Sequence, residues 1–308
     1  MSTLWLDLET YSPVPIKHGA HRYAEEAEIL LVAFAWDDEP VTVWDCTAKG
    51  WDSFQGVLQW AVDHAERVVI HNSAFDRTVL RHCGVNIPVE KVEDTMIMAL
   101  AHSLPGSLGT LCDVLDVPQD KSKDKTGRRF IQLFTKPCPK NWKIRRANMG
   151  THPDEWTAFI EYARLDVDAM RNLHGRIPQW NYTHSERYLW QLDQRINDNG
   201  VAVDVHLARC AIGAFQRASR SLAARAASLT GGQVSSTTQR EKLLTYLKDD
   251  RGFDTEDLTK ATVETALKGQ LDPKVRELLE IRQQAAATSP AKYQALIDAT
   301  SQDGRLRG

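Results

Sequence analysis

The sequence has few cysteines, no long apolar run and no strong charge imbalance. Its five cysteines are widely scattered and form no Cys-x-x-Cys pair. This argues against a disulfide framework or a zinc site and indicates a reducing compartment. The longest apolar run, residues 29–36, is too short to cross a bilayer, and acidic residues begin at Asp7, so no signal peptide is expected. We therefore expect no membrane segment and a cytoplasmic location.

The overall composition is that of an ordinary globular protein with a substantial core. The chain has 308 residues, of which 42% are hydrophobic and 26% are charged. That length suits one large domain or two ordinary ones. The net charge of -3 excludes a polycation that wraps nucleic acid along its whole surface, so any nucleic-acid surface must be a local patch.

The hydrophobic pattern of the first half predicts strands followed by alternating helices and strands. Residues 4–10, 29–36 and 41–44 read as three consecutive antiparallel strands, residues 52–65 have helical spacing, and residues 68–70 form a short apolar strand. More helices follow. This order predicts an α/β fold with an RNase H-like mixed sheet of five strands and flanking helices.

Two acids on the first predicted strand are the central feature of the sequence. Alternation along the strand points Asp7 and Glu9 to the same face, opposite to Leu4, Leu6 and Leu8. Two neighbouring carboxylates in a core repel each other and are costly to desolvate. A bound Mg²⁺ or Mn²⁺ ion is the usual compensation. The alternative is a surface strand with solvated acids.

Two later segments offer partners for this acid pair. Asp76 follows the strand at residues 68–70, where a helix begins. Tyr162 and Asp166 lie four residues apart in a helix predicted over residues 153–176, so they share one face. Asp168 lies about 200° round the helix from Asp166 and cannot serve the same site.

Residues 121–146 form a basic segment in this otherwise slightly acidic chain. They contain ten Lys or Arg residues against one acid, with Phe130, Phe134 and Trp142 between them, and two prolines exclude one long helix. Cations interleaved with aromatic rings are typical of single-strand nucleic-acid binding. Arg128, Arg129 and Lys136 are candidate phosphate contacts. The alternative is a solvated loop.

The second half reads as mostly helical. Leu189, Leu192 and Ile196 form an apolar stripe on a helix that Gly200 ends. Asp204 is placed to cap a helix over residues 205–229, Thr238 and Glu241 have the spacing of a capping box, and a further helix starts at residues 272–273. This half offers no convergent polar cluster, so it is interpreted as a structural or DNA-gripping domain.

The acidic segments match three motifs of a known family. They are Asp-x-Glu-Thr at residues 7–10, Asn-x-x-Phe-Asp at residues 72–76 and Tyr-x-x-x-Asp at residues 162–166. In these motifs the chain resembles the DEDD 3′-5′ exonucleases of the tyrosine subclass. More narrowly, it resembles the proofreading domain of family A (polymerase I type) DNA polymerases, particularly those of phages.

The resemblance implies a metal site and a role for each motif residue. Asp7 is expected to bridge two divalent ions, Mg²⁺ or Mn²⁺. Glu9 and Asp166 are expected to hold the ion nearer the attacking water, and Asp76 to act on the other ion through water. Tyr162 is expected to orient the attacking water. The predicted activity is removal of nucleotides from DNA 3′ ends by two-metal-ion hydrolysis.

Candidate contacts to the substrate come from the same motifs. Thr10, Asn72 and Phe75 are expected near the terminal nucleotide, although Phe75 fits core packing equally well. His71 is interpreted as a structural, hydrogen-bonded histidine. Two other functions remain open: an exoribonuclease of the same superfamily, and a nuclease-inactive module that only grips primer-template DNA.

The resemblance also implies the domain organisation, the partners and a location in the cytoplasm of a bacterium or of a phage-infected host. Residues 1–180 are expected to be the exonuclease domain. Residues 181–308 resemble a helical polymerase thumb that stops before the palm. The expected substrate is single-stranded DNA or a frayed primer 3′ end. The palm and fingers of a longer parent polymerase are the expected protein partner, and the chain is expected to be monomeric.

Overall fold

The computed structural model describes residues 2–117, 123–236, 238–285 and 289–307, without the side chains of residues 123–126, 128 and 289. The chain forms two compact units. The first comprises Met1–Ala202 with Ser301–Gly308, and the second comprises Val203–Thr300. The predicted functional boundary at residue 180, between an exonuclease domain and a thumb-like domain, stays a prediction.

The first unit contains a sheet and the helices that flank it. Its strands are β1 (Thr3–Tyr11), β2 (Glu28–Trp36), β3 (Thr42–Asp45), β4 (Arg67–Ile70), β5 (Val92–Asp94), β6 (Val201–Ala202) and β7 (Arg305–Leu306). Its helices are α1 (Ala20–Ala24), α2 (Cys46–Lys49), α3 (Asp52–His64), α4 (Ser73–His82), α5 (Thr95–Leu100), α6 (Leu108–Val114), α7 (Lys123–Phe134), α8 (Pro153–His174) and α9 (His184–Asn199).

The main sheet has the strand order β3-β2-β1-β4-β5. Strands β1, β2 and β3 are antiparallel neighbours, whereas β4 lies parallel to β1 and β5 lies parallel to β4. The prediction of a mixed five-stranded sheet is therefore confirmed. The residue pattern alone did not locate β5, because three residues are too few to show a period of two.

Strand β1 lies at the centre of the sheet and divides the core into two layers. Leu4, Leu6 and Leu8 pack on one side, in a cluster with buried residues of α3 and α4. Trp5 packs on the opposite side, in a cluster with buried residues of α7 and α8. Since side chains alternate along a strand, Asp7 and Glu9 face the same side as Trp5.

The basic segment contains an element that the sequence pattern did not predict. Helix α7 begins at Lys123 and ends at Phe134, before the two prolines at positions 137 and 139. Phe130 and Phe134 are buried against α8. These two aromatic residues therefore belong to the core and do not form an exposed stacking surface.

Helix α9 buries a different face from the one that its apolar stripe suggested. Leu189, Leu192 and Ile196 are exposed, whereas Trp190 and Gln194 are buried. Gln194 accepts a hydrogen bond of 3.1 Å from the buried guanidinium of Arg77. The large ring and this buried polar contact determine which face of the helix points inward.

The second unit is helical throughout its regular elements. These are α10 (Val205–Leu229), α11 (Arg240–Asp249), α12 (Lys260–Leu267), α13 (Pro273–Ala285) and α14 (Ser289–Ala299). Asp204 caps α10, as predicted. Helix α13 starts at residues 272–273, as predicted, and Asp272 caps it. The predicted capping box is wrong: α11 begins at Arg240, and its N-cap residue Gln239 makes no side-chain capping bond. Among the described ranges, none of the helices combines the length and the apolar character that crossing a bilayer requires.

Candidate metal centre

Three carboxylates predicted to form a site do converge. Asp7 and Glu9 project from β1 toward α8, and Asp166 projects from α8 toward β1. One carboxylate oxygen from each residue lies within 4.8 Å of the other two. Helix α8 is held in this position by its buried residues Phe159, Ala163 and Val167, which pack on the same face of the sheet.

The electrostatics of this cluster are unfavourable without a cation. Burial, and then the charge of Asp166, raise the pKa of Asp7 to about 8. Burial and the charges of Asp7, Asp166 and Asp76 raise the pKa of Glu9 well above its usual value. Carboxyls that resist ionisation next to one another form a donor set that suits a divalent cation with a preference for oxygen ligands.

The fourth predicted carboxylate, Asp76, lies beside this group. It is in the first turn of α4, just after β4, and it is buried. Burial, and then the charge of Asp7, raise the pKa of Asp76, while hydrogen bonds from its own backbone N–H and that of Leu8 act in the opposite direction. Its place outside the 4.8 Å group is compatible with a role through water, which stays a prediction.

Tyr162 lies at the edge of the cluster with its hydroxyl hydrogen-bonded to Asp166. Burial, and then the charges of Asp166 and Glu9, raise the pKa of the Tyr162 hydroxyl above its usual value. Its ring lies within 6.4 Å, centroid to centroid, of both Phe130 and Phe159. Asp168 does not join the group and instead pairs with Arg164, as the helical period predicts.

Gly127, which belongs to none of the three motifs, contacts Tyr162. A Cβ atom at Gly127 would lie 2.5 Å from Cε2 of Tyr162 and 3.0 Å from its Cζ. Helix α7 can therefore close over the tyrosine ring only because this position lacks a side chain. No periodic or compositional signal marks a glycine of this kind.

The motif at residues 72–76 is held in place by Asp94, the N-cap residue of α5. Its buried carboxylate accepts hydrogen bonds from the backbone N–H groups of Asn72 and Ser73, and from those of Met96 and Ile97 in α5. Asn72 adopts a left-handed conformation with φ of 66°. One carboxylate therefore fixes the N-termini of two helices.

Two motif residues predicted to contact substrate have protein partners in this structure. The Thr10 hydroxyl is buried and lies 2.9 Å from the hydroxyl of Tyr23. The half-buried Phe75 ring lies 5.4 Å from the Tyr23 ring, centroid to centroid. Their contacts to substrate stay predictions. Tyr23, which links both residues, was missed because no motif contains it.

His71 is held by hydrogen bonds inside the protein, whereas the neighbouring Asn72 is exposed. The His71 ring nitrogens lie 2.8 Å from the Thr95 hydroxyl and 2.9 Å from the Gly106 carbonyl oxygen. This agrees with its interpretation as a structural histidine. The Asn72 side chain is exposed at the start of α4, where it remains a candidate contact.

The described part of the basic segment presents mostly exposed cations. Arg129 pairs with Glu155 at 2.9 Å, and Arg146 pairs with Glu28 and lies over the Tyr11 ring. For Lys136, Lys140, Lys143 and Arg145, the described residues supply no ion-pair partner, and all four are exposed. The Arg128 side chain lies outside the described residues.

Known proteins resemble the chain in sequence and in fold. The DNA polymerase of Bacillus phage SP02 is 34% identical over 317 residues, covering 100% of this chain and 48% of that protein. The solved POL domain of Pol1 from M. smegmatis, in complex with DNA primer-template and dNTP, superposes with a TM-score of 0.56 and 15% identity. That match covers 100% of this chain and 48% of the solved one. The chain thus spans about half the length of these proteins.

A protein-family model matches most of the first unit. The model, described as 3′-5′ exonuclease and of the DNA polymerase A type, matches residues 18–179. Its range includes the second and third motifs, while Asp7 and Glu9 precede it. Because the model covers more than half of the 308 residues, the chain belongs to the 3′-5′ exonuclease family of family A DNA polymerases.

Proposed function

We propose that this chain is a metal-dependent 3′-5′ exodeoxyribonuclease that removes nucleotides from DNA 3′ ends and proofreads for a family A DNA polymerase. The observation that carries the proposal is the convergence of Asp7, Glu9 and Asp166 within 4.8 Å, with the Tyr162 hydroxyl bonded to Asp166. Carboxylates grouped in this way can hold divalent metal ions that promote the hydrolysis of a phosphodiester bond.

The proposed cofactors are two divalent ions, Mg²⁺ or Mn²⁺. Asp7, Glu9 and Asp166 would hold the metal, and Asp76 would act on it from beside the group. When bound, such ions activate the attacking water, neutralise charge on the phosphate and stabilise the leaving oxygen. Binding also requires that the carboxyls lose their protons, so the raised pKa of Asp7 makes metal and protons compete.

Tyr162 acts as a hydrogen-bond donor to Asp166 and not as a base. The unperturbed pKa of tyrosine is about 10, and the surroundings of Tyr162 raise it further. The hydroxyl therefore keeps its proton at neutral pH and donates to the Asp166 carboxylate. In the proposed reaction this hydroxyl holds the attacking water in line with the phosphorus.

The choice of DNA as substrate rests on the relatives and on the charge of the basic segment. The phage relative is named a DNA polymerase, and the solved Pol1 structure holds a DNA primer-template. The exposed cations between residues 136 and 145 are suited to contact phosphates of a single strand. In the same proposal, residues 1–180 are the nuclease and residues 181–308 are a thumb-like domain.

A cleavage assay tests the proposal directly. The chain is incubated with Mg²⁺ or Mn²⁺ and 5′-labelled single-stranded DNA, RNA of the same sequence and a mismatched primer. We expect stepwise shortening of DNA from its 3′ end, abolished by Asp7→Ala. Asp168→Asn is the matched control, because Asp168 lies on α8 but outside the cluster, and it should cleave normally.

The other outcomes separate the competing functions. Shortening of RNA in preference to DNA would identify an exoribonuclease. DNA binding without cleavage by the unaltered chain would identify a nuclease-inactive module. Full cleavage by Asp7→Ala would contradict the assignment of the site.

A further inference from the structure

A groove at the start of α8, the helix that carries Tyr162 and Asp166, has no role in the chemistry described so far. It has a volume of about 500 Å³ and runs between α7, the loop at residues 138–145 and the start of α8. The residues that line it include Arg129, Gln132, Leu133, Trp142, His152 and Glu155. Its lining thus combines the Trp142 ring, apolar side chains and several hydrogen-bonding groups.

The tryptophan of this groove is presented by an ordered loop. The backbone N–H of Cys138 donates to the carbonyl oxygen of Arg145 at 2.9 Å and closes the loop at its base. Within it, the N–H of Trp142 donates to the carbonyl oxygen of Pro139 at 2.9 Å. Ile144 packs against the core and anchors the loop from below. These contacts hold the backbone of the loop that carries the exposed Trp142 side chain.

Trp142 differs from the other aromatic residues of the basic segment. The relative exposure of Trp142 is 46%, compared with 3% for Phe130 and 0% for Phe134. Both phenylalanines pack in the core of the first unit. Only the tryptophan ring of these three can stack on a flat group from outside.

The charge around the groove indicates an anionic occupant. Lys140, Lys143 and Arg145 lie on the same loop as Trp142 and are exposed, and none has an ion-pair partner among the described residues. The acid at the rim, Glu155, is neutralised by Arg129. A flat group with phosphates on either side matches this combination of ring and cations.

The groove lies within a few nucleotides of the metal centre. Glu155, at its rim, precedes Tyr162 by seven residues and Asp166 by eleven on the same helix. At about 1.5 Å per residue these separations are roughly 10 and 16 Å along the axis. A strand that rises at least about 3.4 Å per nucleotide covers them in at most about five nucleotides.

We propose that this groove binds one unpaired base of the DNA strand whose 3′ end occupies the metal centre. The base, two to five nucleotides from the 3′ end, stacks on Trp142, while the flanking phosphates contact Lys140 and Lys143. The proposal rests on the proposed function and adds a second point of attachment for the strand. This second contact would favour substrates whose unpaired 3′ end is long enough to reach both the metal centre and the groove.

A binding experiment with strands that lack single bases tests the groove. The full chain carrying Asp7→Ala, which should bind without cleaving, is titrated with fluorescent single strands of eight nucleotides. Trp142→Leu in this background should weaken binding about tenfold, a loss typical of one stacked base. Trp60→Leu is the matched control, because Trp60 is an exposed tryptophan on α3, and it should leave affinity unchanged.

The decisive comparison places an abasic nucleotide at each position from two to five. At one position the abasic strand should bind weakly and Trp142→Leu should cost nothing further, because both changes remove the same stack. Trp142→Phe should recover most of the affinity if the ring is what matters. Circular dichroism of each variant verifies that the loop change does not unfold the chain.

Several results would overturn the proposal. The first is that Trp142→Leu binds the intact strand as tightly as its Asp7→Ala background does. The second is that Trp142→Leu still weakens binding when the abasic nucleotide stands at any of the four positions. The third is tight binding of free thymidine monophosphate that depends on Trp142. None of these would affect the proposed function as long as the unaltered chain shortens DNA. Conversely, a chain that neither cleaves nor binds DNA would contradict the proposed function itself.

Discussion

At the residue scale, Tyr162 is positioned by contacts on three sides. Its hydroxyl bonds Asp166, its ring packs near Phe130 and Phe159, and Gly127 lies close against the ring edge. A group that orients water must be held within a narrow range of positions, because small displacements reduce the rate of a reaction that depends on alignment. Because the ring is held by its own contacts, the hydroxyl can be removed without displacing the ring.

Replacing Tyr162 by phenylalanine removes the hydroxyl and keeps the packing. We expect kcat for DNA shortening to fall by about 10²-fold or more, because the attacking water loses its orienting partner. Mn²⁺ affinity, measured by calorimetry, should change little, since the carboxylates remain. An unchanged kcat, or a loss of metal binding of the same size, would contradict the orienting role.

Gly127→Ala tests whether the helix above the ring positions that hydroxyl. The added Cβ would lie 2.5 Å from the ring, so α7 or the ring must shift, at a cost of about 1 to 3 kcal/mol in the free energy of unfolding. We expect kcat to fall more than KM changes. Gly56→Ala is the control, because a Cβ at that helical position meets no atom within 4 Å.

A double variant separates misplacement of the hydroxyl from general damage. If Gly127→Ala acts through Tyr162, it should lower kcat much less in a Tyr162→Phe background than in the unaltered chain. Equal losses in both backgrounds would show that the effect of Gly127→Ala on kcat is unrelated to the hydroxyl.

At the element scale, strong periodic patterns were predictable and contacts between distant segments were not. The alternation around Asp7 and the four-residue spacing of Tyr162 and Asp166 gave the correct faces of β1 and α8, and the helical period correctly separated Asp168. Strand β5 was not predicted because it is only three residues long. Helix α7 was not predicted because it lies in a charge-rich segment. The contacts of Gly127, Tyr23 and Asp94 follow from tertiary packing, which local patterns do not encode.

Asp94→Asn tests the junction between two elements. The Asp94 carboxylate accepts four backbone N–H bonds that hold the starts of α4 and α5. An amide has one accepting oxygen and presents N–H groups to donors, so we expect a loss of about 3 kcal/mol in the free energy of unfolding. Asp204→Asn is the control: it caps α10 from an exposed position, where Asn caps about as well as Asp.

The readout is urea unfolding followed by tryptophan fluorescence. All nine tryptophans lie between residues 5 and 190, so this signal reports on the first unit. For Asp204→Asn, helix content measured by circular dichroism should remain unchanged. A stability of Asp94→Asn within experimental error of the unaltered chain would show that the four bonds are dispensable.

At the scale of the whole molecule, the first unit is assembled from both ends of the chain. Strand β7 pairs with β6, and Arg305 donates to the carbonyl oxygens of Asn199 and Gly200 at 3.0 Å. Gly200 has a φ of 64°, and a Cβ there would lie 2.6 Å from the carbonyl oxygen of Leu306. The close approach of the returning segment therefore requires a glycine at the end of α9.

This assembly brings Arg307 close to His21 on α1 and gives the first unit a pH-dependent stability. Burial, and then the charge of Arg307, lower the pKa of His21 to about 4, with smaller effects from Arg81 and His82 and an opposing one from Asp198. In the unfolded chain the pKa is about 6.5, so between these values the unfolded state binds more protons. The contribution of His21 to stability is therefore complete above pH 6.5 and is lost as the pH falls toward 4.

We expect His21→Gln to flatten the decline of the unfolding free energy of the first unit between pH 6.5 and 4. One group changes the slope by at most about 1.4 kcal/mol per pH unit. In the unaltered chain, NMR titration should place the His21 pKa near 4, and Arg307→Gln should raise it because the cation that lowers this pKa most is gone. His206→Gln is the control, since this exposed histidine belongs to the second unit and should leave the slope unchanged. A His21 pKa near 6.5, or a slope that His21→Gln does not alter, would show that the returning segment does not control this group.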